Sequence, residues 1–157
     1  MTQDAYCIQA KALKGRLYRT AYCYLNSESA AVDAVDEAIY KGFLAHKKLK
    51  EETYFATWLT RILINVCSDE LRRRKREWAT ETPPEQAAEL YDPLPLAEAL
   101  QRLPEELRSV VALRYFSGFS LAETARALAI PEGTVSSRQR RALQLLRLEL
   151  TDEEVQP

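Results

Sequence analysis

Apolar residues recur at helical spacing along most of the chain, and turn-forming residues interrupt them. The spacing predicts helices over residues 11–25, 29–46, 53–76, 96–103, 105–116, 120–128 and 134–150. Residues 1–10 carry little pattern, so the first helix is expected to begin near Lys11. The predicted fold is therefore all-α, with two small helical domains joined by a flexible linker.

Each long predicted helix has one side that is expected to face a core. In the second helix, those inward positions are Val32, Val35, Ile39 and Phe43. In the last helix, they are Val135, Ala142, Leu143, Leu146 and Leu150.

The last two predicted helices form a helix-turn-helix. Ser120 and Glu123 have capping-box spacing, and Pro131 and Gly133 interrupt the helical pattern before the next helix starts near Thr134. The outward arc of that helix carries Ser136, Ser137, Arg140, Arg141, Gln144 and Arg147. Hydroxyl, guanidinium and amide groups can pair with phosphates and base edges in a major groove. A helical hairpin with a solvated basic face explains the same pattern.

The third predicted helix combines aromatic and basic residues, which suits single-stranded nucleic acid. Phe55 is favoured as a core residue, and Trp58 suits either a core or a nucleic-acid role. The helix ends in five consecutive basic residues, 72–76, more than interaction with a helix C-terminus requires. Their mutual repulsion is expected to be relieved by a polyanion.

Asp33, Asp36 and Glu37 share the outward side of the second helix, where carboxylates can serve three purposes. They could hold a catalytic metal, remain solvated, or dock a basic partner surface. Cys7, Cys23, Cys67 and His46 lack the spacing of metal ligands, and no metal or other cofactor is predicted.

The net charge of −1 conceals a segregated distribution. Residues 1–80 hold 14 Lys+Arg against 10 Asp+Glu, whereas residues 81–103 hold 1 against 5. Because residues 78–95 are also rich in proline, they are predicted to be a mobile linker between domains at 1–77 and 96–157. With no apolar signal core and no membrane-spanning run, the protein is expected to be cytoplasmic.

The segments 103–106, 113–116, 118–120, 123–125 and 131–138 resemble the C-terminal domain of bacterial RNA polymerase sigma factors. The similarity is greatest to the extracytoplasmic-function group of the sigma-70 family. The pattern Phe-x-x-Trp-Leu-x-x-Ile, from Phe55 to Ile62, followed by Asn65 and the arginines, resembles the promoter-melting region of the same family.

The resemblance implies a transcription initiation factor, not an enzyme, whose partners are core RNA polymerase, promoter DNA and an anti-sigma factor. Asp33, Asp36 and Glu37 would bind the clamp helices of the polymerase, and the polymerase flap would be a further contact. The loop at 47–54 would help to capture a flipped base of the minus-10 element. The minus-10 residues would be Trp58, Arg61, Asn65, Arg72, Arg73, Arg74, Lys75 and Arg76. The minus-35 residues would be Thr134, Ser136, Ser137, Arg138, Arg140, Arg141 and Gln144.

Two other functions compete with this one. A free-standing helix-turn-helix regulator would need a dimer interface, for which the sequence shows no spare apolar helix. A magnesium-dependent nuclease would use Asp33, Asp36 and Glu37 as metal ligands.

Overall fold

A computed structural model describes residues 1–80 and 95–154, and the predicted all-α fold is confirmed. The α-helices are α1 (Gln3–Leu25), α2 (Glu28–Ala45), α3 (Phe55–Thr80), α4 (Pro95–Arg102), α5 (Glu105–Val111), α6 (Leu121–Leu128) and α7 (Glu132–Glu154). Short 3₁₀ turns, His46–Lys48 and Glu52–Tyr54, separate α2 from α3, and a π-helical turn, Ala112–Phe116, extends α5. We call α1–α3 the first module and α4–α7 the second module.

Helix α1 begins at Gln3, so the prediction of a start near Lys11 was wrong. Thr2 caps the helix, because its side-chain oxygen accepts a hydrogen bond from the Ala5 amide at 3.1 Å. The added turns bury Tyr6 and Ala10 in the core of the first module. Tyr6 and Ala10 are one helical turn apart, but two residues are too few to be recognised as an apolar stripe.

Helix α2 packs on α1 and α3 through small residues, namely Ala31, Ala34, Ala38 and Gly42. Val32, predicted to face inward, is 46% exposed, and that prediction was wrong. Small side chains allow the helix axes to approach closely, so the buried face of α2 is rotated away from Val32.

Gly42 lies closely against both α1 and α3. A Cβ atom there would be 2.5 Å from the Tyr6 hydroxyl oxygen and 2.8 Å from Leu59 Cδ1. Tyr6 cannot easily move, because it is 1% exposed and its hydroxyl donates to the Ile39 carbonyl at 2.5 Å. Glycine at this position is thus required by packing.

In the second module, a buried arginine joins α4 to α5. Arg108 Nε donates to the Leu100 carbonyl at 2.9 Å, and Nη2 donates to the carbonyls of Gln101 at 2.6 Å and Leu103 at 2.9 Å. Burial lowers the pKa of Arg108. The carbonyls at the end of α4 satisfy the guanidinium, which in turn meets the negative end of that helix dipole.

The helix-turn-helix has the predicted capping box, in which Ser120 and Glu123 exchange hydrogen bonds with each other's backbone amides. The turn closes at Ala129, whose φ is 58°. Helix α7 begins at Glu132, so Gly133 belongs to its first turn and does not interrupt it as predicted. Leu143, predicted to face the core, is 40% exposed, whereas Val135, Ala142 and Leu146 are buried. The side chain of Leu150 lies outside the described residues.

One contact between the two modules joins α1 to the turn before α6. Arg16 donates to the Ser117 carbonyl, with Nε at 2.9 Å, and its guanidinium carbon lies 5.3 Å from the centre of the Phe119 ring. Thr20 shares a hydrogen bond with the Ser117 hydroxyl. We call this group of residues the inter-module contact. Around it, buried apolar residues of both modules form one continuous cluster.

Residues 81–94, which make up most of the predicted linker, lie outside the described residues. Within the described ranges, no helix combines the length and apolarity needed to cross a bilayer.

Replacing Gly42 with alanine is expected to lower the free energy of unfolding by about 1–3 kcal/mol, because the new methyl group overlaps Tyr6 and Leu59. Gly15→Ala is the matched control: its Cβ would meet only Arg19, at 3.7 Å, and should stabilise α1 by up to about 1 kcal/mol. Urea unfolding of both variants measures the difference. Equal stability of the two would contradict the packing argument.

Candidate functional site

The outer side of α3 carries three of the predicted nucleic-acid residues in a row. Arg61 and Asn65 are exposed one turn apart, and Arg72 follows two turns later. Phe55 is 2% exposed, which confirms it as a core residue. Trp58 is half-buried, packs against the core, and its ring centre lies 5.9 Å from that of Phe55. The structure therefore gives Trp58 a core contact and leaves part of its side chain accessible.

The basic run at 72–76 divides between two sides of α3. At about 100° per residue, five consecutive positions cannot share one face. Arg73 and Arg74 line a cleft of about 450 Å³ between α2 and α3, together with Asp33 and Glu37. Arg72 lines a different cleft, which lies between the two modules. Only part of the run is therefore available to the face that carries Asn65.

Carboxylates of the same helix compensate part of this positive charge. Glu70 accepts hydrogen bonds from Arg73 at 2.6 Å and from Arg74 at 3.3 Å, and Arg73 also reaches Glu77 at 2.6 Å. Arg72 pairs with Asp69 at 3.3 Å. The hydrogen bonds from Arg73 hold the pKa of Glu70 below its ordinary value. The repulsion that a polyanion was expected to relieve is therefore already relieved in part within the helix.

The outward side of α2 is both acidic and apolar. Asp33, Asp36 and Glu37 are exposed, as predicted, and Glu37 pairs with Lys41 at 3.2 Å. Beside them, the large exposed side chains are Val32, Tyr40 and Leu44, at 46%, 62% and 65%. We call these six residues the docking face. Sequence reasoning missed Tyr40 and Leu44, although their spacing from Val32 and Asp36, in steps of four, would have revealed the shared face.

The thiols and the single histidine do not form a site. Cys7 is exposed, whereas burial raises the pKa of Cys23 and of Cys67 to about 12. His46 is buried, and its Nδ1 lies 2.5 Å from the Phe43 carbonyl oxygen. Among the described residues, no three His, Cys, Asp or Glu side chains are grouped so that they could hold a metal ion.

Helix α7 presents most of its predicted DNA-reading residues to solvent. Ser137, Arg140, Arg141 and Gln144 are exposed, and Thr134 and Ser136 are half-buried. Arg138 differs, because it lies 3.8 Å from Glu106 and lines the same cleft between the modules as Arg72. The structure thus separates Arg138 from the exposed row.

Arg114, in the π-helical turn, holds α7 in place. Arg114 Nε donates to Gln139 Oε1 at 2.9 Å, and Nη1 donates to the Phe119 carbonyl at 2.7 Å. One guanidinium therefore ties α7 to the turn that precedes α6.

Helix α6 lies against α3. The guanidinium carbon of Arg126 is 3.5 Å from the centre of the Tyr54 ring. Tyr54 belongs to the loop at 47–54, where base capture was predicted. In this arrangement, the first helix of the helix-turn-helix therefore faces a loop that is expected to act on DNA.

The chain matches two family profiles, described as "Sigma-70 region 2" over residues 10–77 and "Sigma-70, region 4" over residues 99–148. The RNA polymerase sigma factor SigV of Bacillus subtilis is 29% identical over 147 residues, covering 90% of this chain and 89% of that protein. The ECF RNA polymerase sigma factor SigM of Mycobacterium tuberculosis is 33% identical, covering 81% of this chain and 67% of that protein. The RNA polymerase sigma-E factor of Streptomyces coelicolor is 32% identical, covering 85% and 79%.

Two solved structures share the fold. The sigma factor RpoE, in complex with the anti-sigma factor NepR from Bartonella quintana, has a TM-score of 0.77 at 23% identity and covers 94% of this chain and 97% of that one. CnrH, in complex with the cytosolic domain of CnrY, has a TM-score of 0.74 at 21% identity and covers 96% and 90%.

Replacing Glu70 with glutamine is expected to lower stability at neutral pH. A carboxyl group whose pKa is lowered by folding stabilises the protein above its unfolded-state pKa, and this contribution disappears as the pH falls through the folded-state pKa. The difference in free energy of unfolding between the wild type and Glu70→Gln should therefore become smaller toward the lowest pH at which the protein stays folded. Urea unfolding across this pH range tests the prediction, with Glu51→Gln, at an exposed position outside the helices, as the control. A stability difference between the two proteins that does not change with pH would argue against the ion-pair explanation.

Proposed function

This chain belongs to the sigma-70 family of RNA polymerase sigma factors, in its extracytoplasmic-function group, and we propose that it directs core polymerase to promoters through two DNA-reading surfaces. One observation carries the proposal. A single chain combines a helix-turn-helix, whose α7 exposes Arg140, Arg141 and Gln144, with a first module whose α2 exposes three carboxylates. A free-standing repressor would leave the docking face and the polar side of α3 without a role.

The docking face suits a protein partner better than solvent. Tyr40 and Leu44 expose apolar surface beside Asp36 and Glu37, and apolar residues bordered by charges are typical of binding surfaces. The carboxylates would select a basic surface and fix its orientation. We assign this face to the clamp helices of core polymerase, with the flap as a further contact of the second module.

The DNA surfaces follow from the exposed polar residues. On α7, Ser137, Arg140, Arg141 and Gln144 would contact the minus-35 element, because hydroxyl, guanidinium and amide groups suit phosphates and base edges. On α3, Arg61, Asn65, Lys75 and Arg76 would contact the minus-10 element, and Trp58 would contribute the accessible part of its side chain. Arg73 and Arg74 are less available for contact with DNA, because Glu70 and Glu77 hold them beside α2.

The remaining parts of the proposal follow from the family. The domains would be 1–77 for polymerase and minus-10 binding, 78–95 as the linker, and 96–157 for minus-35 binding. The protein would act in the cytoplasm and leave catalysis to the polymerase. Because RpoE was solved with an anti-sigma factor, we also propose an anti-sigma partner for this chain.

In vitro transcription with bacterial core polymerase tests the proposed function. Templates from a promoter library should yield run-off transcripts only when this protein is added, and the active templates should share two separated sequence elements. Absence of protein-dependent transcripts from the whole library would refute it.

Reversing the charges of Asp33, Asp36 and Glu37 to lysine is expected to weaken core-polymerase binding by about tenfold or more, because three carboxylates that face a basic surface become repulsive. The matched control reverses Asp4, Glu51 and Glu132, three exposed carboxylates away from the docking face. Both variants change the net charge equally, so any difference between their affinities for core polymerase reports where the reversed charges lie. Affinity is measured with immobilised core enzyme, and equal weakening by the two would contradict the assigned face.

A further inference from the structure

An arginine of the second module stacks on an aromatic ring of the first. Arg126 lies on α6, and its guanidinium carbon is 3.5 Å from the centre of the Tyr54 ring. Guanidinium groups stack on aromatic faces much as nucleobases do, since both are flat π systems. Tyr54 remains 37% exposed beside this contact, so its ring lies at the surface of the first module.

The position of Arg126 over Tyr54 is fixed by contacts at the N-terminal end of α6. The inter-module contact fixes the turn before α6 against α1, through Arg16, Thr20 and Ser117. The Phe119 ring, over which Arg16 sits, is itself 2% exposed. Arg126 is thus presented to Tyr54 by a helix that is anchored at its N-terminal side.

The cleft beside α6 brings further DNA-directed groups together. Arg72 of α3 and Arg138 of α7 line the same space of about 380 Å³. Each already pairs with a carboxylate, Arg72 with Asp69 and Arg138 with Glu106. In this arrangement, part of each proposed DNA surface is occupied by the protein itself.

We propose that Arg126 takes the place of a nucleobase on Tyr54, so that the free protein cannot stack single-stranded promoter DNA there until the modules separate. This inference rests on the proposed function, because it assumes that the first module reads single-stranded DNA. The Arg126 guanidinium and an unpaired base compete for one ring face. Loss of the guanidinium should therefore raise DNA affinity, although it also removes a positive charge.

The direction of the change in DNA affinity tests the proposal, because loss of a positive charge alone would weaken binding. The full-length protein is titrated against a fluorescein-labelled, single-stranded DNA dodecamer of mixed sequence, and binding is followed by anisotropy. Arg126→Ala is expected to bind about twofold to thirtyfold more tightly than the wild type, the fold-change that corresponds to one cation–π contact.

Arg19→Ala is the matched control, because it removes one exposed arginine from α1 away from Tyr54. It should bind the dodecamer no more tightly than the wild type, since it only reduces attraction to phosphates. If Arg126→Ala resembles Arg19→Ala, the proposal is overturned.

A double-mutant cycle confines the effect to the ring. In a Tyr54→Ala background, Arg126→Ala should no longer increase affinity, and an unchanged increase would overturn the proposal. The transcription assay decides the proposed function separately. A wild-type protein that supports transcription, with no gain of affinity in Arg126→Ala, would remove the stacking inference alone.

Discussion

Hydrogen bonds at Ser117 orient the two modules against each other. The π-helical turn places this residue against α1, where Arg16 donates to its carbonyl and Thr20 meets its hydroxyl. Paired polar groups cost little to bury, yet they contribute little net stability, because water can replace either partner. The apolar cluster around them adds the larger, non-directional part of the contact. Polar groups therefore fix the orientation of the modules, and apolar burial supplies most of the attraction.

Sequence pattern was sufficient wherever local chemistry decides the structure. The Ser120 capping box and the helix-turn-helix follow from spacing alone, and the exposure of Asp33 and Asp36 follows from helical periodicity. The sequence pattern did not predict burial where contacts with residues distant in the sequence determine it. The alanine side of α2 is buried in place of Val32 because α1 and α3 pack there, and nothing within residues 28–45 indicates that preference. The inter-module contact was also invisible, since Arg16, Thr20 and Ser117 resemble ordinary surface residues until they meet.

The basic run at 72–76 shows how composition and geometry diverge. A helix distributes consecutive residues around its axis, so a run of like charges cannot form one surface. Glu70 lies three and four residues before Arg73 and Arg74, and Glu77 lies four residues after Arg73, which is favourable ion-pair spacing. These spacings between the glutamates and the arginines can be read directly from the sequence. Considered together with the run, they are enough to assign Arg73 to an intrahelical network.

The proposed surfaces differ in their accessibility, and this difference implies an order of events. The docking face is on α2, where its carboxylates and the Tyr40 and Leu44 side chains are exposed while the modules are packed together. Tyr54, in contrast, has Arg126 on its ring. A partner that recognises the docking face therefore needs no prior opening, whereas a base that stacks on Tyr54 does. Because a ligand shifts a conformational equilibrium only by its preference for one state, polymerase must bind the separated modules more tightly than the packed ones to release that ring.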